Sequence, residues 1–489
     1  MQSKSPRDLF NQIRYDFIGL NTEYTLADGR RTPRIYLDST ASTLMMGLAH
    51  RALNSFYRHY SNTHSLLHFS AKISTREYQW AHDRILDFLQ ADRETYACFF
   101  AGSGTTAGMN RMARVFRDFR PERDTVLISL MEHHSNDLPH RKHAGQVIHL
   151  PLDVHNHKPG CIDLQALETE LKKNQGRINY VAVTAVSNVT GIINPIYDIA
   201  EMAHHYGALI LVDGAQAAAH MPVVISNSAH PERNLDAFVF SGHKTYVPGS
   251  PGVVVCRKDI LNAMEPEEVG GGMVHRVYTE YYTIKDDFPD REEAGTPNIP
   301  GAIALGVAID ILDRIGMEFI FAEEMEFIRL ALDRLATVPD IHLYGETDCN
   351  VCQRAASISF NILGLDHGLV AAALNDYFNI AVRNECFCAH PYVKEMIMGD
   401  LAEKALILDE EALLLKQGMV RASFGLYSRE SDIEALVIAL TDIATHKKKY
   451  RKLYVPGEGG NYRHRSFVPE TNQYCLRDFI DAALMGDRK

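Results

Sequence analysis

Between about residues 72 and 260, short apolar runs of strand length alternate with stretches of helical period, a rhythm that few folds accept. TVLISL, YVAVTAV, ALILVD, AFVFS and GVVVC are rich in β-branched residues and almost continuously apolar, as parallel strands buried on both faces are. Between them lie amphipathic pieces such as Ile196, Ile199, Ala200 and Ala203, closed by Gly207, a residue suited to ending a helix. This alternation predicts an α/β layer on a mostly parallel sheet, with ligands taken at the carboxyl edge of the strands.

The first helix of that layer is expected to open on a capping box of Ser74 and Glu77, with Tyr78, Ala81, Ile85 and Phe88 following at helical spacing. After the apolar helix GAIALGVAIDIL the texture changes to α+β, with strands near RAASISFNI and MVRASFGLY. The expected organisation is an N-terminal segment 1–45 that is too short to fold alone and docks on the smaller domain, a large domain 46–300, a small α+β domain 301–450, and an extension 451–489 ending in a helix at RDFIDAALM.

A chain of 489 residues, 46% hydrophobic, can bury the core such an arrangement needs. Its net charge of -12, without long single-sign blocks, argues against a nucleic-acid surface or attraction to anionic lipid, so an anionic ligand requires a local site. No apolar run approaches the roughly 20 residues that span a bilayer, and the start MQSKSPRDLFNQ lacks the apolar core of a signal peptide; a cytoplasmic location is expected. The eight cysteines are then free thiols.

Three elements carry candidate chemistry. AFVFS runs into SGHKTYVPGSPG, placing Lys244 on the turn past a buried strand, where partial desolvation would make its neutral amine available to an aldehyde. Alone, a loop lysine is usually solvated. Asp213 ends ALILVD, and a buried carboxylate there needs a partner, either a local cap, an ion pair or the protonated nitrogen of a pyridine ring. AGSGTTAGMN opens a helix with Met109, Met112, Ala113 and Phe116 on one face, so its backbone amides and the Thr105 and Thr106 hydroxyls suit a phosphate. Cys349 and Cys352 form a CxxC, and Cys386 and Cys388 a CxC. Their spacing is not that of a zinc ribbon or finger, and no metal is expected.

These elements, with YLDSTAS, SNTHSLLH, MEHHSND, SNVTG, VDGAQ, SGHKTY, GGGM and EAGTPN in register over roughly residues 35–445, resemble the class V branch of the fold-type I pyridoxal 5'-phosphate (PLP) enzymes. The resemblance is strongest to the group II cysteine desulfurases and selenocysteine lyases. It implies a large domain with a mostly parallel seven-stranded sheet flanked by helices, plus a smaller α+β domain. It makes Lys244 the Schiff-base lysine, Asp213 the partner of the pyridine nitrogen and His133 the ring stacked on the cofactor, with Asn188 and Gln216 near its phenolic oxygen. Thr105, Thr106, Ser241 and His243 would hold the phosphate, joined by Thr296 from the neighbouring subunit of a homodimer. Arg421 would grip the substrate carboxylate.

Cys388 follows Arg383 at the spacing that separates arginine from the persulfide-forming cysteine in the group II desulfurases. The implied reaction turns L-cysteine into L-alanine with a persulfide on Cys388, for delivery to an acceptor protein. The family's stretch between that arginine and cysteine usually contains glycine and two histidines, whereas Asn384, Glu385, Cys386 and Phe387 stand here. Thr40 and Ser65 replace the usual alanine and arginine, and residues 393–417 are an insertion. A class V aminotransferase, a C–S β-lyase or an epimerase would use the same cofactor without a catalytic cysteine. A non-catalytic protein of this fold acting through a partner is the alternative from a different class, and the presence of Lys244, Asp213 and Arg421 counts against it.

Overall fold

The computed structural model describes residues 4–63, 65–155, 158–401, 418–457, 460–469 and 474–485. Its centre is a seven-stranded sheet in the order Tyr96–Ala101, Gly252–Arg257, Ala237–Ser241, Leu209–Asp213, Ile178–Thr184, Thr125–Ser129 and Gln146–Leu150. The mostly parallel α/β architecture expected from the sequence is present. The run GVVVC departs from expectation, because its strand pairs antiparallel with both neighbours. Only residues 242–251 separate it from the preceding strand, with no helix of crossover length among them, and a parallel return needs a dozen or more residues.

Side chains alternate across this sheet. Ile210, Val212, Phe238 and Phe240 join the core formed with helices Phe69–Phe88 and Ile299–Ile315. Leu209, Leu211, Ala237 and Val239 face the other way, onto Met109, Met112 and Phe116 of helix Gly104–Phe119. That helix lies almost on the strands: a Cβ on Gly108 would come 2.5 Å from Val239 Cγ1.

The helix predicted to open at Ser74 begins at Phe69 instead, capped by His68 Nδ1, which accepts from the Ala71 amide at 3.3 Å. Ser74 is buried in its second turn, where its hydroxyl accepts from the Ser61 amide at 2.9 Å. The serine is spent on a tertiary contact that a local capping pattern does not reveal.

A four-stranded antiparallel sheet, in the order Ile341–Leu343, Ser357–Ile362, Met419–Ser423 and Arg383–Glu385, is backed by helices His367–Phe378 and Glu430–Thr445 around a separate core. The N-terminal helix Pro6–Ile13 packs Phe10 edge-on to Phe319 at 5.8 Å, and strand Ile35–Tyr36 pairs with Ile380–Ala381. Of the insertion, residues 393–401 belong to helix His390–Leu401, while residues 402–417 lie outside the described residues. The tail carries a helix at Leu476–Met485. Among the described residues no helix is long and apolar enough to cross a membrane.

Candidate active site

Four parallel strands finish at one edge of the large sheet, at Ser129, Thr184, Asp213 and Ser241. A cavity of about 190 Å³ opens there. Lys244 lines it from the 3-10 turn Gly242–Lys244, directly after the strand that ends at Ser241. Lost solvation brings the Lys244 ammonium down to about 8, against the pull of Asp213. Asp213 closes its strand and accepts the Ala215 amide at 2.9 Å. Burial pushes its carboxyl up, opposed by that bond and by Lys244. His133, also on the cavity wall, is brought down to about 3 by burial and by Lys244, so its ring is neutral. Its Nδ1 accepts from the Ser135 amide at 3.0 Å, which leaves the ring proton on Nε2.

The opposite wall is the start of helix Gly104–Phe119. Gly104 has φ +62, and a Cβ there would lie 2.7 Å from Ser241 Oγ, so both conformation and space call for glycine. The Thr105 amide donates to Ser241 Oγ at 2.7 Å, and the Thr105 hydroxyl shares a second 2.7 Å bond with it. Thr106 Oγ1 lies 2.6 Å from Ser135 Oγ, and His243 Nδ1 lies 3.3 Å from Ser42 Oγ. Hydroxyls and a helix amino end form a cradle for an anion. Gln216 and Asn188 complete the wall. Gln216 Oε1 and the adjoining Thr40 Oγ1 are buried with no hydrogen-bond partner among the described residues.

Arg421 stands behind Asn188. Its Nη1 donates to Asn188 O at 2.8 Å, its Nη2 is 3.3 Å from Asp38 Oδ1, and its guanidinium lies 4.6 Å from the centre of the Phe387 ring. Burial lowers its pKa to about 10, so the cation persists at neutral pH. Its Nε has no partner among the described residues, a cost that a bound carboxylate would remove.

Cys388 is exposed on the loop beside this arginine. Glu385, Phe387 and Cys388 have φ values of +94, +51 and +56, a region side chains enter only at a cost of about 1–3 kcal/mol each. The loop is held there by Asn188 Nδ2 donating to Phe387 O at 2.7 Å and by the His134 amide donating to Cys388 O at 2.7 Å. Negative charge on Cys388 favours the protonated forms of both Lys244 and Arg421.

Four of the expected site residues do not line the cavity: Arg421 and Cys388, beside it, and Thr296 and Arg383. Thr296 is exposed and accepts from Asn62 Nδ2 at 3.1 Å, away from the lysine wall. Arg383 is exposed, with its backbone paired opposite Arg421. Among the described residues no group of three His, Cys, Asp or Glu side chains is placed to hold a metal ion. A larger cavity of about 560 Å³ beside helix Pro6–Ile13 is lined by none of the marked residues.

The sequence reading missed Asp38, although YLDSTAS contains it. It also missed the pair His134 and His390, whose rings stack 4.9 Å apart with Nε2 and Nδ1 3.0 Å apart. Glu132 was a third omission. It is wholly buried behind the cavity, accepting from the Ser129 hydroxyl, from Asn136 Nδ2 at 2.6 Å and from the Thr184 amide at 3.0 Å. Burial outweighs these bonds and raises its pKa from 4.5 to about 8.

A carboxyl whose folded pKa is raised contributes stability below its ordinary pKa and loses it as pH climbs through the folded value. The cofactor-free protein should therefore melt at progressively lower temperature from about pH 5 to pH 8. Glu132→Gln, whose amide oxygen still accepts, should flatten that slope in thermal scans across the range. An unchanged slope would remove Glu132 as its cause.

The aminotransferase class-V family model matches residues 35–436. A probable cysteine desulfurase of Halalkalibacterium halodurans is 37% identical over 415 residues, covering 84% of this chain and 93% of that one. A cysteine desulfurase of Enterobacter sp. strain 638 is 33% identical over 438 residues, covering 88% and 97%. Among solved structures, the apo cysteine desulfurase from Thermococcus onnurineus NA1 superimposes with a TM-score of 0.74 at 27% identity, over 91% of this chain and 99% of its own. The lysine turn, the aspartate strand and the helix start therefore sit in a fold-type I framework matched along most of its length, and the chain belongs to the class-V aminotransferase family.

Proposed function

We propose that this enzyme holds PLP on Lys244 and is a cysteine desulfurase. The observation carrying this reading is that nine of the ten residues expected around the cofactor line one cavity, with the Cys388 loop clamped beside it through Asn188. The donor set fits the group. Gly104 leaves room at an anion cradle, Asp213 can hold a ring proton, and the buried Gln216 Oε1 and Thr40 Oγ1 await partners. When bound, PLP supplies an electron sink for the pair released at the substrate Cα.

The chain's own groups do the rest. Thr105, Thr106, Ser241 and His243 would hold the phosphate, His133 would cover the ring with a neutral face, and Asn188 and Gln216 would flank its oxygen. Arg421 orients the amino acid through its carboxylate, with Arg383 widening the positive field. The Lys244 amine, which loses its proton near pH 8, takes the Cα proton. The Cys388 thiolate attacks the substrate sulfur and the Cβ–S bond breaks, its electron pair going to the substrate carbon, which takes up a proton; a Cys388 persulfide forms and, with the proton returned to Cα, L-alanine leaves. A thiol or an acceptor protein then removes the sulfur.

Thr296 serves the cofactor of the other subunit in a homodimer. The large exposed side chains Leu67 and Phe69, near the Asn62–Thr296 bond, support such an interface. A cytoplasmic location fits these free thiols.

The test is L-cysteine supplied to the holoenzyme with dithiothreitol, measuring products. Alanine and sulfide in equal amounts are expected. Pyruvate with ammonia would mean β-lyase chemistry, and 3-mercaptopyruvate formed only with an added keto-acid acceptor would mean transamination; either overturns the desulfurase reading.

A further inference from the structure

A second pair of thiols lies away from the cavity. Cys161, on strand Lys158–Ile162 of a hairpin beyond the main sheet, has its Sγ 3.6 Å from Sγ of Cys352, which sits in the turn before strand Ser357–Ile362 of the other sheet. The contact bridges 191 residues of sequence. We propose that Cys161 and Cys352 form a reversible disulfide, a redox modification site that staples this hairpin to the smaller domain.

Several observations fit this. Both flanks of the pair are already tied: the Glu346 amide donates to Pro159 O at 3.0 Å, Lys158 Nζ to Thr347 Oγ1 at 2.7 Å, and the Ile193 amide to Gln353 O at 3.0 Å. The tied flanks thus hold the two sulfurs close to one another, in position to be brought to bonding distance. Gly160 permits the approach, because a Cβ there would come 2.9 Å from Cys352 Sγ. Accessibility is divided as stepwise exchange requires, with Cys161 half-buried and Cys352 buried. The hydrogen bond from the Cys161 thiol, with help from His155, favours ionisation of Cys352, against burial.

The chemistry balances with a low-molecular-weight disulfide such as oxidised glutathione as oxidant. Cys161, whose thiol is kept protonated by its bond to Cys352 and by burial, transfers that proton by way of the Cys352 sulfur to the departing glutathione as it attacks, which gives a mixed disulfide, one glutathione thiol and a Cys352 thiolate. The Cys352 thiolate then attacks the Cys161 sulfur, closing the protein disulfide and expelling the second glutathione thiolate. Two protein thiols are oxidised and one glutathione disulfide is reduced. The loop 190–193, tied to the stapled turn by Arg354 Nε donating to Thr190 O at 2.8 Å, begins two residues after Asn188, so the staple reaches a strut of the cavity wall.

Holoenzyme incubated with oxidised glutathione, alkylated and digested without reductant should yield peptides joined through Cys161 and Cys352, released by dithiothreitol. Its melting temperature should rise on oxidation, and the rise should be absent in Cys161→Ser and in Cys352→Ser. Gly160→Ala should slow the cross-link several-fold while both thiols remain. Cys161 and Cys352 both alkylated after oxidation, a glutathione adduct persisting on Cys161, or a Cys349–Cys352 link instead would overturn the proposal.

Discussion

Lys244→Ala is expected to lower turnover of L-cysteine by about 10³-fold or more, the loss that follows removal of a positioned base that also carries the cofactor. The protein should still fold. Among the described residues no hydrogen bond ties the Lys244 ammonium down, and the turn Gly242–Lys244 is held by the Thr245 amide donating to Gly242 O at 2.8 Å. The substitution should even raise the melting temperature of the cofactor-free protein. A lysine whose pKa falls from 10.5 to about 8 on folding opposes folding wherever it must stay charged. The gain should be full below about pH 8 and vanish above about pH 10.5. Calorimetry across that range, beside activity assays, separates loss of function from loss of fold.

The second large effect concerns the two neighbouring thiols. Cys388→Ala should abolish alanine formation yet leave Cα proton exchange intact, because Lys244, Asp213 and Arg421 remain in place. Deuterium should therefore still wash into L-cysteine at Cα in heavy water. Cys386→Ala should cost less than about tenfold, since burial, Glu385 and Cys388 raise the Cys386 thiol to about 11 and leave little thiolate at neutral pH. Full activity in Cys388→Ala, or its loss in Cys386→Ala alone, would exclude the persulfide chemistry proposed for Cys388.

How far the sequence reaches can be judged residue by residue. The parallel strands were legible because TVLISL, ALILVD and AFVFS are β-branched and short, and the edge they share was legible because Asp213 and Lys244 both follow such runs. Strand Tyr96–Ala101 was harder to see, since ACFFA is aromatic with no β-branched residue. The direction of GVVVC was written in the ten residues that precede it, too few for a crossover helix. The long-range polar contacts were not legible. Ser74 satisfies Ser61, Asp38 meets Arg421 across 383 positions, and His134 meets His390 across 256. No local period encodes such pairs.

The Cys388 loop is an intermediate case. Absence of the family's glycine was visible in the sequence, and its consequence is that Glu385 and Phe387 take backbone conformations that favour glycine. What holds them there, Asn188 beneath Phe387 and Arg421 against its ring, becomes visible only in three dimensions.

A cofactor bound on Lys244 leaves a direct chemical trace. Holoenzyme purified with PLP should be yellow, and borohydride reduction followed by digestion should leave the phosphopyridoxyl group on the peptide containing Lys244. A protein that stays colourless with PLP, or a reduced adduct found on any other lysine, would contradict it.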